Sequence, residues 1–151
     1  MEMKIRLAVS EERWAELAEA LIRAGFELDD GAELVLLEND RFPTHLAVRN
    51  EAGERVHLAV EEIVYIESWG HTVTVHGADG SYQSADRLYQ LCLLLDPKRF
   101  LRISNSVIIQ RNKVKKILPS LSMKFVLVMA DGARVDVTRT YYNSFKEFFG
   151  I

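Results

Sequence analysis

The sequence predicts a mainly β chain with short helices, and three observations carry that expectation. Runs of alternating apolar and polar residues recur from about residue 46 to residue 138, helical spacing is confined to brief stretches, and Asp131-Gly132 sits between two alternating segments as the strongest hairpin signal in the chain. With 151 residues, 48% of them hydrophobic, the chain can bury one core. That length suits a domain of about 100 residues with a modest appendage. The boundaries read as residues 1–52 for a small N-terminal α/β extension and residues 53–151 for the main β domain.

Residues 4–9 alternate as a strand, with Ile5, Leu7 and Val9 on one side. Ser10 is placed to cap a helix carrying Glu11 and Glu12 in its first turn and Trp14, Leu17, Ala18, Leu21 and Ile22 as its apolar stripe, with Gly25 ending it. A turn at Asp29-Asp30-Gly31 leads to a strand over 33–38. Residues 46–48 and 56–60 flank the hairpin turn Asn50-Glu51-Ala52-Gly53, and strands over 63–67 and 72–76 follow, the second with Val73 and Val75 inward and a turn at 77–80. Ser84 is expected to cap a helix in which Leu88, Leu91, Cys92 and Leu95 share a face, stopped by Asp96-Pro97. Strands over 100–103, 107–109, 114–118, 124–129 and 133–138 complete the pattern, with 121–123 as the turn of a long hairpin. Tyr142, Phe145, Phe148 and Phe149 then fall at roughly helical spacing, as a lid on the sheet edge.

Charge divides the chain unevenly. Residues 1–50 hold 6 basic and 11 acidic side chains, residues 51–97 hold 2 and 8, and residues 98–151 hold 11 and 3. From Pro97 to Ala130 there are eight Lys or Arg residues and no Asp or Glu. A surface of that kind suits phosphates, whereas the formal net charge of -3 conceals it. The single Cys92 excludes a disulfide within the monomer and reads as a buried thiol in a reducing compartment. The N-terminus lacks the apolar core of a signal peptide and no run reaches membrane-spanning length, so a soluble cytoplasmic protein is expected.

Enzyme chemistry finds little support in the residues. The four His are scattered, Glu61 and Glu62 are adjacent beside a strand and so poorly placed as a catalytic pair, and no phosphate-loop, dinucleotide or nucleophile-elbow motif occurs. No catalytic residue, cofactor, metal or small-molecule substrate is expected. Nucleic-acid binding fares better. In the stretch from Phe100 to Ser106, Arg102 lies opposite Leu101 and Ile103, and Ser104-Asn105-Ser106 breaks the strand into a loop able to reach a groove. Arg matches the guanine edge, Asn the adenine edge, and Ser a phosphate. Asn105 also suits a turn that bonds its own backbone. Arg139, at the junction of a strand and the terminal helix, can reach outward or join a surface ion pair. Arg111, Lys113, Lys115, Lys116 and Lys124 read as phosphate contacts, although alternation places 113 and 115 on one face and 116 on the other. Trp69 is most simply core or loop packing, while His71 in the same break can meet a phosphate or base or serve as a plain loop residue.

These residues resemble the LytTR DNA-binding domain of bacterial transcriptional regulators. Residues 62–68 (EIVYIES) look like the family's opening strand, Asp79-Gly80 and residues 88–95 like its hairpin and small helix, residues 100–109 like its F-x-R-x-x-x-S block, and residues 131–141 like its closing D/N-G, strand, [ST]-R-x-[YF] block. The resemblance implies an elongated LytTR-like arrangement of small β-sheets whose end loops enter the major groove of double-stranded DNA, and binding of paired direct repeats near promoters. It assigns base or loop contacts to His71, Arg102, Asn105 and Arg139 and loop anchoring to Ser106, whereas phosphate or loop contact by Ser104, Arg111, Lys113 and Lys116 is read from the residues themselves. Ser104 replaces a His common in the family, and Gln110 replaces an Asn, which puts in doubt the loop geometry that this amide would order. The fifty or so residues before the match are too few for a receiver domain, so the chain resembles the compact subgroup, often encoded beside a small membrane protein that modulates it, with the acidic extension expected to form a homodimer. Two rivals follow from the residues alone. The basic face can dock an acidic protein partner, or the domain can bind RNA, for which exposed aromatics on the sheet are expected.

Overall fold

The computed structural model describes residues 3–38 and 42–151, and the chain divides into two compact units, Met1–Phe42 and Pro43–Ile151. In the first, β1 (Met3–Ala8), α1 (Glu11–Arg23), β2 (Phe26–Leu28) and β3 (Leu34–Leu37) form a parallel three-stranded sheet in the order β2-β1-β3 with its crossover helix. Strand β2 is three residues long, too short for alternation to reveal it from the sequence. Ser10 takes the extended cap conformation, but its side chain makes no capping bond; its backbone N–H donates to Glu38 Oε1 at 2.7 Å. Ala18 is buried on α1, whereas Trp14 and Ile22 are 47% and 60% exposed. Gly25 ends the helix at φ 97°, a conformation that favours glycine.

The second unit is mainly β. Its strands are β4 (His45–Arg49), β5 (Arg55–Ala59), β6 (Ile63–Trp69), β7 (Thr72–Gly77), β8 (Gly80–Ser84), β9 (Phe100–Arg102), β10 (Val107–Gln110), β11 (Val114–Ser120), β12 (Lys124–Met129) and β13 (Arg134–Val137), with helices α2 (Leu88–Leu94) and α3 (Tyr142–Phe149). They make a seven-stranded sheet, β5-β4-β8-β7-β6-β10-β9, and a separate antiparallel sheet, β11-β12-β13. The turn predicted at Asn50–Gly53 joins β4 to β5, with Glu54 N–H donating to Asn50 Oδ1 at 2.9 Å. That pairing and the contact of Arg49 with Gln83 on β8 draw residues 45–49 into the larger sheet, so this unit begins ten residues before the sequence-read boundary at 52/53.

Two expectations change in detail. Ser84 ends β8 and its Oγ accepts from Asp86 N–H at 3.0 Å, so the helix begins after Arg87, whose N–H is held by Gln90 Oε1 at 2.9 Å. Here a serine supports a turn three residues early, a role serine fills as readily as a cap. The C-terminal aromatics are core as well as cover: Phe145 has no exposed surface, and the Phe125 ring stacks on Tyr142 at 5.0 Å.

Two apolar clusters flank β6 and β10. Ile66 and Ile108 join Leu46, Leu58, Val75 and the α2 residues Leu88 and Leu91 in one; Tyr65, Val107 and Ile109 join Phe125, Leu127, Val137 and Phe145 in the other. An irregularity between Ile63 and Tyr65 turns Val64 and Tyr65 to the same side, which strict alternation does not allow. Buried on both faces, this strand pair is a rigid support for the loop at its end. No described helix is long and apolar enough to cross a membrane.

Candidate nucleic-acid interface

Between β9 and β10 the chain reverses through Ser104-Asn105-Ser106, closed by Ile103 N–H donating to Val107 O at 2.9 Å. Arg102 holds this loop from within. Its Nε donates to Ser104 O at 3.2 Å and its Nη2 to Asn105 O at 2.6 Å, so two of the five guanidinium donors order the backbone. Ser104 is 7% exposed; its Oγ accepts from Ser106 N–H at 3.2 Å and lies 3.4 Å from Ser106 Oγ. A small buried hydroxyl is therefore the loop's inner anchor, and Asn105 and Ser106 are left exposed, with the longer Asn105 side chain able to reach farther.

Among the described residues, Asn105 bonds to no backbone group through its side chain. Its Oδ1 accepts from Tyr141 Oη at 3.1 Å, across 36 residues of sequence. The amide oxygen keeps a second lone pair, and the amide nitrogen has no partner among the described residues. Tyr141 is a positioning residue that charge and motif reasoning did not single out, although it stands in the closing motif. Beside it, Thr138 N–H donates to Ile103 O at 3.0 Å, which fixes the start of the 3-10 turn Arg139–Tyr141 against the same loop. Arg139 is exposed and makes no ion pair among the described residues.

From the other side, Ser68 N–H donates to Ser106 O at 2.8 Å and brings the β6–β7 turn alongside. Trp69 pairs with Thr72 across this turn, and Gly70 sits at φ 61°. His71 is exposed with no side-chain hydrogen bond among the described residues. An open cleft of about 360 Å³ is lined by Ser68, His71, Arg87, Tyr89, Arg102 and Asn105 among others. The structure thus brings His71, Arg102 and Asn105 together, and ties the Arg139 turn to the same loop through Ile103 and Tyr141. Trp69 ends β6 beside the turn and is not core: it is 85% exposed.

Other predicted contacts lie elsewhere. Arg111 and Lys113 form a 3-10 turn at the opposite end of β10, a strand of four residues and so about 13 Å long. The Arg111 guanidinium lies 5.4 Å and 5.6 Å from the Phe148 and Phe149 ring centroids, an orientation that ties it to α3. A register shift between Val114 and Lys116 breaks the expected alternation, and Lys115 and Lys116 are both exposed while Lys113 is half-buried. Lys124 pairs with Ser120 one step beyond Phe125↔Val137, which puts it at the end of the small sheet that leads into Arg139.

Gln110 has a role unlike the one expected for it. It is fully buried, its amide nitrogen donates to Val60 O at 3.2 Å and to Ile63 O, and its Oε1 accepts from Arg99 Nη2 at 2.8 Å. It therefore anchors the 3-10 turn Val60–Glu62 and not the Asn105 loop. Cys92 is half-buried; burial pushes its thiol pKa up, and the positive charge of Arg102 opposes that shift.

Comparison with known proteins agrees with this architecture. The chain is 29% identical over 100 residues to the sensory transduction protein LytT of Bacillus subtilis (strain 168), covering 66% of this chain and 42% of that protein. It is 21% identical over 131 residues to the transcriptional regulatory protein LytR of Staphylococcus aureus (strain bovine RF122 / ET3-1), covering 86% and 53%. The chain thus spans about half or less of the length of these curated relatives. A solved LytTr DNA-binding domain from Bacillus cereus superposes with a TM-score of 0.68 at 23% identity, over 72% of this chain and 99% of that one, and shares its fold. Residues 53–150 match the LytTr DNA-binding domain family, and the chain belongs to it.

Proposed function

We propose that this protein is a sequence-specific regulator of transcription that binds double-stranded DNA, with the β6–β7 turn, the Asn105 loop and the Arg139 turn entering the major groove at paired direct repeats. The observation that carries this reading is the convergence of three exposed donors on one ordered frame. His71, Asn105 and Arg139 come from distant parts of the sequence, and backbone bonds at Ser106 and Ile103 hold their turns together. Such a frame presents side chains to base edges without ordering them at the moment of binding. Arg102 serves chiefly to hold the loop, with its remaining donors toward the cleft. Ser104 and Ser106 set the loop's shape, while Lys124 and the basic stretch of Arg111, Lys113 and Lys116 add phosphate attraction.

The acidic N-terminal unit is proposed to pair two copies, a reading supported by Trp14 and Ile22, which leave apolar surface open on α1. A modulating membrane protein and a cytoplasmic setting belong to the same proposal. Selection of bound duplexes from a random DNA library is the test. A recovered repeat is expected, with preference relaxed at separate positions in Asn105→Ala and Arg139→Ala. Absence of duplex binding at low salt, together with capture of an acidic protein that persists without nucleic acid, would replace this reading with the protein-docking one.

A further inference from the structure

Trp69 stands at the proposed DNA surface with no structural task. Its side chain is 85% exposed, it belongs to neither apolar cluster, and no ring or cation packs on it among the described residues. It is also held in place. Trp69 faces Thr72 across a tight turn, Gly70 takes the left-handed conformation that the turn requires, and the adjacent Ser68 N–H is bonded to Ser106 O at 2.8 Å. Alternation along β6 turns Ser68 toward the cleft and Trp69 to the opposite side of the hairpin. The tip is thus a two-stranded ribbon with His71 at its apex and a large indole on its flank.

A ribbon of this kind fits the major groove, about 12 Å wide, and the one apolar group that base edges present there is the thymine C5-methyl. We propose that Trp69 is a specificity-determining residue that packs its indole on thymine methyl groups beside the bases reached by His71 and Asn105. This inference rests on the DNA-binding reading above. An indole carried on a hairpin whose backbone is already held brings a large, stiff apolar group with few rotatable bonds to the groove, so it favours one base and does not merely strengthen attraction to the backbone.

The test uses the duplex recovered from a random library by the wild-type full-length chain. A thymine preference present for wild type is expected to be lost in the consensus selected by Trp69→Ala, a variant that removes no core contact and should melt at the wild-type temperature. Replacing those thymines by uracil, which lacks only the methyl, should weaken wild-type binding about four-fold, as expected for one buried methyl group, and leave Trp69→Ala unaffected. In a Trp14→Phe background, where Trp69 is the sole tryptophan, emission should shift to the blue on the thymine duplex. An unchanged Trp69→Ala consensus, or equal wild-type affinity for thymine and uracil duplexes, overturns the assignment while leaving the DNA reading intact. Recovery of no consensus by wild type overturns both.

Discussion

The two ends of β10 carry polar residues of similar chemistry and use them oppositely. At the Gln110 end the buried amide is directed inward, serving the carbonyls of Val60 and Ile63 and the Arg99 guanidinium, and charge is offered by the Arg111–Lys113 turn beyond it, not by the amide. At the other end Arg102 and Ser104 satisfy the loop's own backbone, and that internal bonding leaves Asn105, His71 and Arg139 facing outward. The comparison separates polar groups that hold a site from those that can act at it. A strand with one closed end and one open end can present a loop without softening the core that supports it.

Substitutions should expose that division, and the largest effect belongs to the closed end. Gln110→Ala removes a fully buried amide, leaving the Ile63 carbonyl and the half-buried Arg99 guanidinium without it while Val60 O keeps the Ile63 N–H, and should lower unfolding free energy in urea by about 2–4 kcal/mol. The base preference of the folded fraction should not change. Asn105→Ala should do the reverse, costing about 1–3 kcal/mol of binding to the selected duplex at one base position while shifting stability by less than about 0.5 kcal/mol. Similar stability losses for both variants would erase the distinction between the ends. Arg102→Lys lies between them: lysine cannot make the two-pronged contact with the Ser104 and Asn105 carbonyls, so specificity should fall as in Arg102→Ala even though charge is kept, measured as the ratio of selected to random duplex affinity.

Smaller effects sharpen the same contrast. Lys116→Ala should weaken selected and random duplexes alike and reduce the slope of log affinity against log salt by about 1. Tyr65, on the strand beside β10, has its phenol pushed up to about 12 by burial and by Glu67 and Asp131. Because the unfolded side chain ionises near 10.0, folded-state stability should hold below that pH and be lost as pH rises from there through about 12, which a series of thermal melts would read.

Most of the strand order of the second unit was legible because alternation and turn residues agree, as at Asn50–Gly53 and Asp131-Gly132. The acid-free segment and the four family motifs also placed the DNA-facing candidates in one domain. What sequence could not supply was three-dimensional assignment. The bulge after Val114 cancels the parity argument for the lysines, Gln110 serves a turn about 50 residues upstream, and the Tyr141–Asn105 bond spans two separate motifs. Trp69 shows the same gap from another side: the sequence places it at the break between two strands but leaves core and loop packing open, and the fold shows it 85% exposed at a hairpin tip.

The central claim is that the open end of β10 reads base identity while the closed end and the basic strands do not. Parallel selections from one random duplex library with wild type, Asn105→Ala, Arg139→Ala and Lys116→Ala test it most directly. The account predicts a wild-type repeat whose information content drops at distinct positions for Asn105→Ala and Arg139→Ala and stays intact for Lys116→Ala. A consensus unchanged in both open-end variants, with affinity lowered evenly across sequences, would contradict it.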